Sequence, residues 1–143
     1  MNKVEYAVSC FKEGFSCAQA VLSAFGEEFG LNRECALRVA GAFGGGMAQM
    51  GKTCGAVTGA FMVIGLKYGK TKAEDEETKK KAYSLVREFV ERFQSRNGSI
   101  VCKELIGCDI STPEGLKRAK EEKFTIVCPR LVQDAVEIIE QIL

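Results

Sequence analysis

The stretch Thr53-Cys54-Gly55-Ala56-Val57-Thr58-Gly59-Ala60-Phe61-Met62-Val63-Ile64-Gly65-Leu66 decides how this chain folds. It is too apolar around its whole circumference to be a surface helix, so it predicts the central, buried helix of a compact, all-α, multi-helix bundle. Its apolar part, Ala56 to Leu66, is interrupted by Thr58 and glycines and falls well short of the roughly 20 residues that a membrane span needs. Gly55 and Gly59 lie one turn apart. A neighbouring backbone can approach closely there, which offsets the roughly 1 kcal/mol that each glycine costs inside a helix.

On the N-terminal side, Val4, Ala7, Val8 and Phe11 recur at helical spacing until Gly14. Ser16 with Gln19 three residues later is a capping-box pattern opening a second helix through Ala20, Val21, Ala24 and Phe25. Asn32 caps a third, carrying Leu37, Val39, Ala40 and Phe43 as far as Gly44-Gly45-Gly46. On the C-terminal side, the charged run Lys70 to Lys81 opens a long amphipathic helix that buries Ala82, Leu85, Val86, Phe89, Val90 and Phe93 and ends at Asn97-Gly98. Ser99 is placed to cap a short helix closed by Gly107, and Thr112-Pro113-Glu114 supplies a cap, a first-position proline and an acid. The last helix is expected from Pro129 to Leu143. Phe124-Thr125-Ile126-Val127 is β-like but has no partner strand in the pattern.

The chain has 143 residues, in the usual range for one domain, and residues 1–143 read as a single domain. Lys and Arg number 20 against 19 Asp and Glu, so net charge gives no argument for nucleic acid or an anionic membrane. Residues Met1 to Tyr6 lack the apolar run of a signal peptide, which points to the cytoplasm. Histidine is absent while cysteines number seven. That excludes Ser-His and Cys-His catalysis and imidazole ligation, and leaves any soft-metal site to sulfur.

Cytosolic thiols are normally reduced, so the seven read as ligands, redox groups or core fillers before they read as disulfides. Cys17, Cys54, Cys102 and Cys128 each fall at the predicted start of a helix. Free N–H groups and the positive end of the helix dipole favour a thiolate there. Cys10 lies inside the first helix and Cys108 follows a helix end, while Cys35 sits in the turn that Asn32 caps; core filling suits these three. No C-x-x-C pair is present, so spacing by itself points to neither a zinc ribbon nor a thioredoxin-like site.

Three stretches, Gly14-Phe15-Ser16-Cys17-Ala18-Gln19-Ala20-Val21, Phe43-Gly44-Gly45-Gly46-Met47 and Cys54-Gly55-Ala56-Val57-Thr58-Gly59, together resemble the C_GCAxxG_C_C family of redox-active proteins. The resemblance covers essentially the whole chain and matches the family's four cysteines to Cys17, Cys54, Cys102 and Cys128, with Cys10, Cys35 and Cys108 as extras. A similar domain occurs in split-Soret cytochromes, so the resemblance implies electron transfer and an iron–sulfur cluster as cofactor.

A competing motif, Gly46-Met47-Ala48-Gln49-Met50-Gly51-Lys52-Thr53, fits the phosphate-binding pattern G-x-x-x-x-G-K-[ST]. That motif must follow a buried strand, and the residues before it are helical in pattern, so nucleotide hydrolysis is set aside. Glu74 to Glu77 followed by Lys79 to Lys81 reads as a solvated helix, and Glu27 and Glu28 as exposed. Met47 and Met50 read as loop filling rather than soft ligands.

Three functions fit. The first is a redox centre in which the four thiolates hold a [2Fe–2S] or similar cluster and pass electrons to a partner protein. The second is thiol–disulfide exchange, with Cys54 attacking and Cys17 or Cys128 resolving. The third is zinc held by the four cysteines to tie helices together. A homodimer is compatible with any of the three.

Overall fold

The computed structural model describes residues 1–143 and is all-helical. Eight α-helices follow one another: α1 (Lys3–Lys12), α2 (Cys17–Gly26), α3 (Arg33–Val39), α4 (Gly55–Tyr68), α5 (Glu76–Asn97), α6 (Cys102–Ile106), α7 (Pro113–Glu122) and α8 (Val127–Ile142). A 3-10 turn, Glu27–Phe29, joins α2 to α3. None of the helices is long and apolar enough to cross a membrane.

Caps account for most of the boundaries. Asn2 accepts from the Glu5 N–H, Asn32 from Cys35, Asp75 from Thr78 and Thr112 from Gly115. The capping box at Ser16 and Gln19 is complete in both directions. Elsewhere the boundaries differ from the sequence expectation. α3 stops at Val39, and Ala40 to Ala42 form a turn. α5 begins only at Glu76, because Asp75 rather than the preceding lysines supplies the cap. Ser99 does not cap α6: its hydroxyl accepts from the Val101 N–H and bonds the Glu104 carboxylate, leaving Val101 in the cap position. α8 begins at Val127, ahead of Pro129, and the β-like run before it forms turns.

α4 is central as expected, packed on α2, α5 and α8. Its first six residues, Gly55 to Ala60, are all buried. The two glycines set its distance from α2: a Cβ on Gly59 would stand 2.9 Å from the Ala18 carbonyl oxygen, and one on Gly55 would stand 3.0 Å from the Ala18 nitrogen. Phe89 packs edge-on against Phe61 and stacks on Phe93, filling the space between α4 and α5.

The buried residues fall into two clusters. The larger, of 24 residues, joins α1, α2, α3, α4, α5 and α8. The smaller consists of Cys102, Ile106, Ile110, Ala119 and Cys128, under α6, α7 and the start of α8.

Candidate redox site

The four helix-start cysteines meet at the seam between these clusters. Cys54 belongs to the larger, Cys102 and Cys128 to the smaller, and Cys17 packs against both. All four line one cleft of about 790 Å³, and Cys10, Cys35 and Cys108 do not. Cys10 is buried inside α1 with its Sγ 3.8 Å from the Ser23 Oγ, Cys35 is exposed, and the Cys108 thiol bonds the Ile106 carbonyl. All seven are free thiols.

Local structure explains the convergence. The capping box fixes the start of α2, and the Gln19 amide that closes it also donates to the Leu37 carbonyl at 3.0 Å, tying Cys17 to α3. Gly55 lets the start of α4 lie against that of α2: an added Cβ would be 3.3 Å from the Cys17 Cβ. An isolated antiparallel bridge between Thr53 and Val101 sets the next pair side by side. The Cys54 N–H donates to Ile100 at 2.7 Å and the Cys102 N–H to Lys52 at 2.6 Å. Cys128 follows from the turn at Lys123, whose carbonyl accepts the Val127 N–H.

A loop of uncommon conformation forms one wall. From Gly45 to Gln49 five consecutive residues have left-handed φ, and Met47, Ala48 and Gln49 among them have side chains. Each of those three costs roughly 1–2 kcal/mol relative to an ordinary conformation. The winding brings the loop against the site. A Cβ on Gly46 would come within 2.6 Å of the Cys102 Cβ, and one on Gly44 within 2.8 Å of the Ser16 Cβ. Gly46 is buried, yet its N–H has no acceptor in the protein. The phosphate-loop motif does not have its required context, because α3 precedes it and the Gly51 and Lys52 N–H groups are taken by the Gly45 and Gly46 carbonyls. Met47 and Met50 stay outside the cleft, in keeping with loop filling.

The electrostatics depart from the sequence expectation of a thiolate at every helix start. Burial pushes the Cys54 thiol up to about 11, although the Ala56 and Val57 N–H groups pull the other way. Burial and the neighbouring sulfurs raise Cys102 to about 12. Cys17 is held well above the ordinary thiol range, first by its pairing with Cys128 and then by burial and the repulsion of the other three. Only Cys128 is lowered, by its pairing with Cys17. Desolvation and mutual repulsion therefore outweigh the helix dipoles at three of the four positions. The attacking role expected of Cys54 fits poorly with a buried, raised thiol.

The thiols face a common space without closing on a point. No three cysteine, aspartate or glutamate side chains gather tightly enough to hold a single metal ion. The remainder of the lining was not legible in the sequence: Phe11, Phe15 and Phe124 supply apolar walls, and Lys12 is the one charged residue. They come from two segments, residues 11–15 and the turn at Phe124, that only tertiary packing brings together. Comparison with curated proteins and with solved structures gave no match. A family profile described as "Putative redox-active protein (C_GCAxxG_C_C)" matches residues 15–142, nearly the whole chain and all four cleft cysteines, and the chain belongs to that family.

Proposed function

We propose that Cys17, Cys54, Cys102 and Cys128 form one redox centre that holds an iron–sulfur cluster and exchanges electrons with a partner protein. The observation that carries this reading is selective convergence: four cysteines from four separate helix starts line one cleft, and the other three of the seven do not. The donor set fits, since four thiolates are the ordinary ligands of such clusters. The spread of the sulfurs suits a group of several atoms better than one zinc ion, which needs its four ligands closed around a point. When bound, the cluster would supply one-electron chemistry.

The protein's own contribution is electrostatic and steric. Its buried, mutually repelling thiols are costly to ionise alone, so a cation among them displaces their protons and relieves the repulsion. The Ala56 and Val57 N–H groups at the start of α4 favour a Cys54 sulfur carrying negative charge. The two buried clusters keep bulk water from most of the sulfur surface.

The test is a set of seven single Cys→Ser variants purified without oxygen. Visible absorption and bound iron should be lost or much reduced for Cys17, Cys54, Cys102 and Cys128, and kept for Cys10, Cys35 and Cys108. Retention of full iron by any of the four contradicts the ligand set.

A second reading rests on the pairing of Cys17 with Cys128 in the cleft, which raises the first thiol and lowers the second. In a metal-free protein Cys128, rather than Cys54, is the thiol poised to attack a substrate disulfide. The first substrate sulfur would leave as a thiol, and Cys17 would then displace the second. Two electrons and two protons would pass to the substrate while a Cys17–Cys128 disulfide forms. Alkylation kinetics decide it: Cys128 should react first, and equal or slower reaction than Cys35 removes the reading.

A further inference from the structure

The cleft is far larger than the group its thiols would hold. About 790 Å³ corresponds to room for on the order of 25 water molecules at roughly 30 Å³ each, within the size range of small-molecule pockets. A cluster of a few iron and sulfur atoms fills a minor part of it. What lines the rest has a definite chemistry. Phe11, Phe15, Phe124 and Leu131 are apolar, no aspartate or glutamate contributes, and Lys12 is the one charge, engaged in no ion pair. Along the glycine loop, the N–H groups of Gly44, Gly45, Gly46 and Ala48 have no acceptor in the protein. Gly44, Gly45 and Gly46 offer three successive free N–H groups, the last two on left-handed backbone, and these are the elements of an anion-binding concavity. Buried Gly46 leaves such a donor unmet, which is costly unless a ligand meets it.

We infer that the cleft binds a small organic oxyanion, a molecule with an apolar body and one carboxylate, sulfonate or phosphate group, next to the four thiols. The body lies against the phenylalanines, and the oxyanion takes the loop N–H groups and Lys12. The ligand's role as the centre's electron donor or acceptor rests on the redox reading above. Small acidic or neutral-polar molecules without an apolar body, and cations, are disfavoured by the same lining.

The probe is 1-naphthoate, with 1-naphthalenemethanol as its neutral counterpart, titrated calorimetrically into the full chain purified without oxygen. Naphthoate should bind saturably at one site, at least about tenfold more tightly than the alcohol. Lys12→Gln, an exposed change, should weaken naphthoate by about tenfold and leave the alcohol unchanged. Thr125→Trp, at another exposed lining position, should obstruct both. Absence of saturable naphthoate binding, equal binding of the two probes, or indifference of naphthoate to both variants overturns the inference. Iron content, measured on the same samples, separates the two claims. Bound iron without naphthoate binding overturns the ligand site alone, and naphthoate binding without iron overturns the cluster alone.

Discussion

The two buried clusters are built on different terms. The larger is filled from several helices at once: α2 and α4 approach until there is no room for a Cβ at Gly55 or Gly59, and three phenylalanines interlock between α4 and α5. The smaller has five residues, two of them cysteines of the site, and α7 reaches the bundle mainly through it. Its neighbouring loop carries three side-chain-bearing residues at left-handed φ. The difference teaches where the chain keeps its stability and where it keeps its chemistry. The main bundle rests on packing among several helices, whereas the α6–α7 end rests on a small cluster that includes two cysteines of the cleft.

The largest effect should come from emptying the filled side. Phe89→Ala is expected to cost about 3–5 kcal/mol and to lower the urea midpoint of the whole chain. Ile110→Ala, in the smaller cluster, should cost about 2–4 kcal/mol and act locally. Amide hydrogen exchange should quicken over residues 99–126 and stay slow in α4 and α5. Equal acceleration throughout would erase the distinction between the two regions.

A pair of glycines sharpens it further. Gly46 and Gly98 both have left-handed φ, but a Cβ on Gly98 meets open space and one on Gly46 meets the Cys102 Cβ. Gly98→Ala should cost roughly 1–2 kcal/mol from strain alone and keep its iron. Gly46→Ala should cost more and lose iron, because Cys102 or the loop must move. Iron content and urea midpoints of the two variants check this together.

Much of the main bundle could be read from sequence, since caps and periodicity are local signals. Ser16, Asn32 and Thr112 each bond the N–H that their position predicts. The apolar run after Cys54 places α4 in the centre for the same reason. The four cysteines were marked by helix starts and by family resemblance, and their gathering into one cleft is a property of the packed chain. Two features had no local signal. Met47, Ala48 and Gln49 are residue types that ordinarily avoid left-handed φ, so nothing in their identities announces the loop. The raised thiols follow from burial and from one another, whereas position at a helix start predicts the opposite shift. Ser99 shows the milder failure, a capping residue type drawn off by Val101 and Glu104.

The raised thiols also fix a pH dependence. In the metal-free protein, Cys54 and Cys102 stay protonated when folded up to about 11 and 12, while unfolded thiols ionise near 9. Their contribution to stability is therefore present below about pH 9 and is lost as pH rises through 9 towards 12. Urea midpoints of metal-free protein should fall between pH 8 and 10, more than those of a Cys54→Ser variant. Metal binding should run the other way, strengthening with pH and releasing protons, which calorimetry in buffers of different ionisation enthalpy would detect. The smallest effect belongs to the far side of the bundle. Arg96→Ala removes a partly exposed bridge to Asp134 and Glu137 and should cost below about 1 kcal/mol, with iron content unchanged.

The most direct test of the redox centre is the iron and acid-labile sulfide content per chain, with a visible spectrum, of wild-type protein purified without oxygen. The account predicts iron and sulfide together, in fixed proportion to the chain, with absorption that bleaches on reduction. Iron-free, colourless protein, or zinc alone in the same preparation, would contradict it.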